Sequence, residues 1–332
     1  MFKYFCSLAV MAAVGLIGLE ANAGKAAAAE TCNLKQRASL PMVTMGPLGT
    51  GLIQAGIGGR PFRMLVDTGA ESTMIEGKAA LAAGLKLPRA TGRAVGIGGE
   101  VDVSVLFLLP MLLDHTRVDA LMAKVSDPEK PLYQNAFDGL LGLDVLDQFD
   151  FEIDPQGKKL NLYSQENCRG QVVYWDTEYS TIPFALSQQH LIQVTVQVNG
   201  RPLRGIIDTG NSHTSMRWTT ASDLFGLTTG SPGVYALPHP TMTGDGKLID
   251  GAQYTFDSLE FGHVRIRHAV VNLLPQYSAN AFSDIFGMDD WGPQIIIGMD
   301  VLQHLRFYVA NAEKMIYFTV VPPAADPPAS PS

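Results

Sequence analysis

Along most of this chain, Val, Ile and Leu alternate with polar residues or run together over strand-length stretches, each closed by Gly, Asn or Pro. Side chains alternate across the two faces of a strand, so these stretches read as β-structure. Ile57-Gly58-Gly59-Arg60 and Val198-Asn199-Gly200-Arg201 are predicted hairpin turns, because their central residues tolerate positive φ. Helices are expected to be short, over Lys78–Ala83 and Thr219–Phe225 and again after Asp144 and Asp300. The two aspartates are expected to serve as N-caps, accepting the first free backbone N–H groups of those turns. The fold class is therefore all-β with short helices.

The pattern occurs twice. Gly59-Arg60-Pro61-Phe62-Arg63-Met64-Leu65-Val66-Asp67-Thr68-Gly69 is answered 141 positions later by Gly200-Arg201-Pro202-Leu203-Arg204-Gly205-Ile206-Ile207-Asp208-Thr209-Gly210. His115-Thr116-Arg117-Val118 is answered by His263-Val264-Arg265-Ile266. Gly139-Leu140-Leu141-Gly142-Leu143-Asp144 is answered by Ile295-Ile296-Ile297-Gly298-Met299-Asp300, by which point the offset has grown to 156. Insertions thus fall between shared elements, as surface loops do. The expected organisation is an N-terminal lobe at 24–168 and a C-terminal lobe at 169–321, joined by a polar linker near 165–180. The Pro-rich stretch 322–332 cannot donate a regular ladder and is expected to be disordered.

The 332 residues are 46% hydrophobic and 17% charged, which fits packed cores rather than disorder. With 24 Lys+Arg against 32 Asp+Glu and no basic run, the chain lacks the footprint that phosphate backbones require, and no nucleic-acid partner is expected. Residues 1–23 combine Lys3, an apolar run from Cys6 to Leu19 and Ala21-Asn22-Ala23, the pattern of a secretory signal peptide. A retained anchor is the alternative, but the run is shorter than the roughly 20 residues that cross a bilayer. The expectation is a periplasmic or secreted protein with no membrane span once the signal is cleaved. In that compartment Cys32 and Cys168 are candidates for one disulfide, two unrelated thiols being the other reading.

A single Asp-Thr-Gly is a common turn sequence. Two of them, each at the end of an apolar strand and each followed at a distance by an apolar-apolar-Gly segment, are a different matter. Hydrolysis of an amide without metal or covalent intermediate needs one group to deprotonate water and another to protonate the carbonyl oxygen. Two touching carboxyls that share a proton supply both, so Asp67 and Asp208 are the candidate catalytic pair, titrating as a unit. Gly69 and Gly210 permit a tight turn and close backbone approach. No metal or cofactor is implied: His-Glu-x-x-His is absent, and Ser212-His213 lies in no Gly-x-Ser-x-Gly elbow. His115 and His263, at matching positions, are expected to make a shared structural contact.

These residues resemble the aspartic proteases, and Asp67-Thr68-Gly69-Ala70-Glu71-Ser72-Thr73 is similar to the signature of their retropepsin-like branch, which occurs duplicated in exported bacterial proteins. Leu140-Leu141-Gly142 and Ile296-Ile297-Gly298 are similar to the second fingerprint of each lobe. The resemblance spans roughly 50–165 and 185–318. It implies two pseudo-twofold-related β-barrel lobes, closed or partly open, each contributing one aspartate. Thr68 and Thr209 are then the residues whose hydroxyls lock the two loops together. It implies a polypeptide substrate bound as an extended strand beneath hairpin flaps, and Gly96, Ile97, Gly98 and Gly99 resemble one flap tip, Gly244 and Gly246 the other. Because both half-sites lie in one chain, a monomer is expected.

The pattern departs from pepsin-like relatives at Ala70 and Asn211, where Ser or Thr is usual. Ala70 offers Asp67 no hydroxyl, while Asn211 is expected to donate to Asp208. A carboxyl without such a donor keeps its proton to higher pH, which points to activity in weakly acid to near-neutral conditions. Leu65, Val66, Ile206 and Ile207 are expected to form apolar walls leading to the pair. The competing readings are an inactive two-lobed binding or scaffolding protein of the same fold and a carboxylate-pair glycosidase, for which nothing beyond the two aspartates speaks.

Overall fold

The computed structural model describes residues 32–321 apart from 47–48, 88–91, 97–98, 108–109, 120–121, 131, 134–135, 167, 243–247 and 276–291. The proposed signal peptide and the Pro-rich tail therefore lie outside the described residues, as do Ile97, Gly98, Gly244 and Gly246.

The duplicated plan is visible strand by strand. In the N-terminal half Thr50–Ile57 and Arg60–Val66 form an antiparallel hairpin through Gly58 and Gly59, at φ of 59° and 76°. In the C-terminal half Ile192–Val198 and Arg201–Ile207 do the same through Asn199 and Gly200, at 48° and 74°. Positive φ at both central residues gives the turn whose twist matches that of the strands, as the residue types foretell. Each second strand ends one residue before its aspartate. The chain then passes through a short strand, Met74–Ile75 or Ser215–Arg217, into a helix, Gly77–Ala82 or Trp218–Phe225.

The apolar-apolar-Gly segments are the strands Gly139–Leu141 and Ile295–Ile297. Each is inserted parallel to the strand that leads to the aspartate and antiparallel to the short strand after it. In the C-terminal half the sheet closes on itself where Ile192–Val198 pairs with Ala252–Phe261, giving a six-stranded barrel. The N-terminal counterpart stays open as a half-barrel.

Six strands join the halves in one sheet, in the order Gln36–Pro41, Lys159–Tyr163, Asp150–Asp154, Leu305–Ala310, Met315–Val320, Ser180–Leu186. The seam is antiparallel, with Phe151 opposite Val309. Across it the fully buried Glu152 accepts Arg306 Nε–H at 2.6 Å, and the guanidinium lies 4.6 Å from the Trp175 ring centroid. Asn161, Tyr163 and Tyr174 all donate to the other Glu152 oxygen. A buried carboxylate persists only with partners of this kind. Among the described residues of the linker expected near 165–180 there is no strand between Tyr163 and Ser180, and Val172, Tyr174 and Trp175 pack over this seam.

Two expectations are corrected. Asp144 and Asp300 are not N-caps: the caps of Leu143–Leu146 and Met299–Leu302 are Gly142 and Gly298, and the aspartates sit inside the first turn facing another segment. Among the described residues His115 and His263 make no shared structural contact. Both stand exposed in tight hairpin turns, and His115 lies 3.3 Å from its neighbour Asp114. They match because the turn is repeated.

Candidate active site

Each Asp-Thr-Gly forms a tight turn at the end of its strand, closed by Ala70 N–H to Asp67 carbonyl and by Asn211 N–H to Asp208 carbonyl, both at 3.4 Å. The backbone N–H of each aspartate donates to the inserted strand, Asp67 to Leu141 and Asp208 to Ile297, both at 3.0 Å. The N–H two residues on reaches each carboxylate: Gly69 to Asp67 Oδ1 and Gly210 to Asp208 Oδ1, both at 2.9 Å.

Thr68 and Thr209 join the loops. The Thr68 hydroxyl donates to Ile207 carbonyl and the Thr209 hydroxyl to Val66 carbonyl, each at 2.7 Å. Each hydroxyl also accepts the other threonine's backbone N–H at 3.1 Å. Both threonines are buried, so these four bonds form away from competing water.

Behind the loops a second mirrored set holds them from below. Asp144 Oδ1 accepts Thr73 N–H at 2.9 Å and its hydroxyl at 2.7 Å, and Thr73 Oγ1 accepts Gly142 N–H at 3.1 Å. Asp300 Oδ1 treats Thr214 alike at 2.8 and 2.7 Å, with Gly298 N–H on Thr214 Oγ1 at 3.2 Å. The positions read from sequence as helix caps are therefore anchors for the turns that carry Asp67 and Asp208.

The result brings Asp67 and Asp208 together, their carboxyls hydrogen-bonded to each other. A Cβ on Gly69 would lie 2.3 Å from Asp208 Cγ, and one on Gly210 would lie 2.5 Å from Asp67 Cγ, so only glycine fits at either place. A family profile for aspartyl proteases matches residues 53–145 and 194–301, the two halves that supply this pair. The chain belongs to the aspartyl protease family. Its fold is similar to that of the aspartic proteinase from Irpex lacteus, at a TM-score of 0.51 and 14% identity over 87% of this chain and 98% of that one. No curated protein sequence matches the chain.

In this family member both carboxyls hold their protons beyond the usual range. Burial raises Asp67 to about 6, against the lowering effect of the Gly69 N–H, the Asp208 hydrogen bond and the Ala70 N–H. Asp208 is raised well above the ordinary value by burial first and then by the charge of Asp67. Asp208 Oδ1 also accepts the backbone N–H of Asn211 at 3.1 Å. That corrects the expectation of a side-chain donor: Asn211 Oδ1 faces its own loop, accepting His213 N–H at 3.5 Å.

The apolar walls need a correction as well. Val66 and Ile207 belong to the main core, because alternation turns them away from the faces on which Leu65 and Ile206 lie. Leu65 instead joins Met74, Tyr133, Phe137 and Leu140 in a separate cluster against Ala70. Tyr133 and Phe137 were not singled out from sequence; Phe137, two residues before Gly139, was the available signal. Of the flap candidates, Gly96 and Gly99 face each other at the end of the hairpin formed by Gly92–Gly96 and Gly99–Phe107. In the C-terminal half Thr241–Met242 pairs antiparallel with Leu248–Ile249, and the candidates Gly244 and Gly246 between them lie outside the described residues. Among the described residues no group of three His, Cys, Asp or Glu side chains is placed to hold a metal ion. Cys32 and Cys168 are both disulfide-bonded.

Proposed function

We propose that the protein is an exported aspartic endopeptidase that hydrolyses peptide bonds with the Asp67–Asp208 pair. One observation carries this reading: two carboxyls from the two halves of the chain, Asp208 buried and Asp67 partly exposed, hydrogen-bond to each other inside a symmetric cage. With one proton shared, the ionised member takes a proton from water as the oxygen attacks the carbonyl carbon, and the protonated member gives its proton to the carbonyl oxygen. Proton return to the nitrogen then releases the amine, and the pair regains its single proton. An inactive binding protein of this fold would have no need for two mutually compatible glycines, two threonine locks and both aspartates.

The substrate is a polypeptide in an extended segment, added as a strand with its side chains on alternate sides. Gly96, Ile97, Gly98 and Gly99 in the N-terminal half, and Gly244 and Gly246 in the C-terminal half, are the proposed flap tips. The chain works as a monomer, because both half-sites lie in one polypeptide, and it acts in the periplasm or outside the cell after loss of residues 1–23. The test is a digest of a proteome-derived peptide library by the mature chain across a dilution series. Cleavage at internal bonds with concentration-independent specific activity is expected; no cleavage at any pH between about 4 and 8 contradicts the endopeptidase reading.

A further inference from the structure

Glu76 is a carboxylate that dyad chemistry does not use, yet it is only 4% exposed. Both of its oxygens are occupied: Oε2 accepts the Ser126 hydroxyl at 2.6 Å and Oε1 accepts the Tyr133 backbone N–H at 2.7 Å. Ser126 Oγ accepts Gly77 N–H at 3.0 Å, and Glu76 N–H donates to the Asp138 carbonyl at 2.9 Å. One side chain thus ties the strand leaving the Asp67 loop to the end of Met122–Ser126 and to Tyr133.

What it holds there is an aromatic wall. The Tyr133 ring stacks on Phe137 with centroids 4.4 Å apart, over Leu65, Met74 and Leu140. Ala70, the residue after the Asp67 turn, packs against this cluster while staying partly exposed. The Tyr133 hydroxyl lies 3.6 Å from Met74 Sδ, a weak acceptor, and burial followed by the charges of Asp67 and Glu76 keeps the phenol protonated. The residue types at the matching positions of the other half differ, with Arg217 in the place of Glu76. Where Glu76 N–H meets Asp138 carbonyl, the other half sets Arg217 N–H on Gln294 carbonyl, and Ser215 takes the place of Met74.

We propose that Glu76 is a positioning residue for substrate selection, fixing the Tyr133–Phe137 wall beside Asp67 so that this half-site selects a large apolar side chain next to the cleaved bond. The inference rests on the endopeptidase reading. Its test compares wild type, Glu76→Gln, Glu76→Ala and Tyr133→Ala on peptides carrying Phe or Ala immediately before or after the cleaved bond, with hydrogen exchange of segment 127–138. In Glu76→Ala, exchange around Tyr133 should accelerate, and kcat/KM should fall about tenfold, mainly through KM, for the Phe peptide while changing less than about twofold for the Ala peptide. Glu76→Gln keeps a carbonyl oxygen for the Tyr133 N–H and should retain most of the selectivity. If Glu76→Ala does not fold, Tyr133→Ala decides by the same ratio. An active wild type whose Phe-to-Ala preference is unaltered in the variants overturns this inference alone; a wild type that cleaves no peptide overturns the endopeptidase reading and this inference with it.

Discussion

Thr68 and Thr209 hold each other's loops: each hydroxyl donates to the carbonyl that precedes the other half's aspartate and accepts the other's backbone N–H. Neither interaction exists without the partner lobe, so the pair makes the spacing of Asp67 and Asp208 a property of the whole chain. Replacing either threonine by Val keeps the shape but leaves a buried carbonyl and N–H unpaired, at about 1–3 kcal/mol each. Thr68→Val and Thr209→Val should therefore lower the midpoint in urea and depress activity together, whereas Thr→Ser at either site should keep most of both. A Val variant with wild-type stability would show that the lock is dispensable.

Gly69 and Gly210 make a sharper prediction, because a methyl on either would overlap the opposite carboxyl. Gly69→Ala and Gly210→Ala should each lower kcat by about a hundredfold or more, since displacements near 1 Å have effects of that size. Steady-state kinetics on any cleaved peptide checks this, with circular dichroism to show that the barrel remains.

The raised carboxyls have consequences for pH. Below the usual carboxylate range Asp67 is protonated both folded and unfolded; between about 4 and 6 the folded state keeps a proton that the unfolded state releases, so stability falls as pH rises through that window. Asp67→Asn removes this liability. It should raise unfolding free energy at pH 7.5 by on the order of 2 kcal/mol relative to wild type, with the difference vanishing near pH 3.5. In the wild type the singly protonated pair exists above about 6, so the rate should peak in weakly acid to near-neutral solution. A profile that peaks only in strong acid contradicts it.

Cys32 and Cys168 are expected to bond to each other. Strands Gln36–Pro41 and Lys159–Tyr163 pair antiparallel, and Ser164 N–H donates to the Lys35 carbonyl, so the chain leaves that ladder from both strands at the same end. Closing a loop this long would stabilise by about 4–5 kcal/mol on chain-entropy grounds. Peptide mapping under non-reducing conditions should find the linked pair, and loss of the link in Cys168→Ser should lower the melting temperature.

Much of this was legible because duplication writes each signal twice. The glycine-rich hairpins, the strand before each aspartate and the inserted apolar strand follow from local residue types that act within one half. What stayed hidden depends on pairings that no local pattern announces. Glu152 and Arg306 meet only because Asp150–Asp154 pairs with Leu305–Ala310 across the seam. Asp144 looks like a helix cap from its position, and only the fold shows that Thr73 competes successfully for its carboxylate. Glu76 carried no signal in the sequence; its partners Ser126 and Tyr133 are brought to it from 50 and 57 positions along the chain.

The central claim, that Asp67 and Asp208 form one catalytic unit, is tested most directly by the turnover of the single variants Asp67→Asn and Asp208→Asn on an unfolded protein substrate, beside wild type. Each variant should be folded and should retain less than about a thousandth of wild-type kcat, because a shared-proton pair has no spare member. A folded single variant that keeps a substantial part of wild-type turnover would contradict the account.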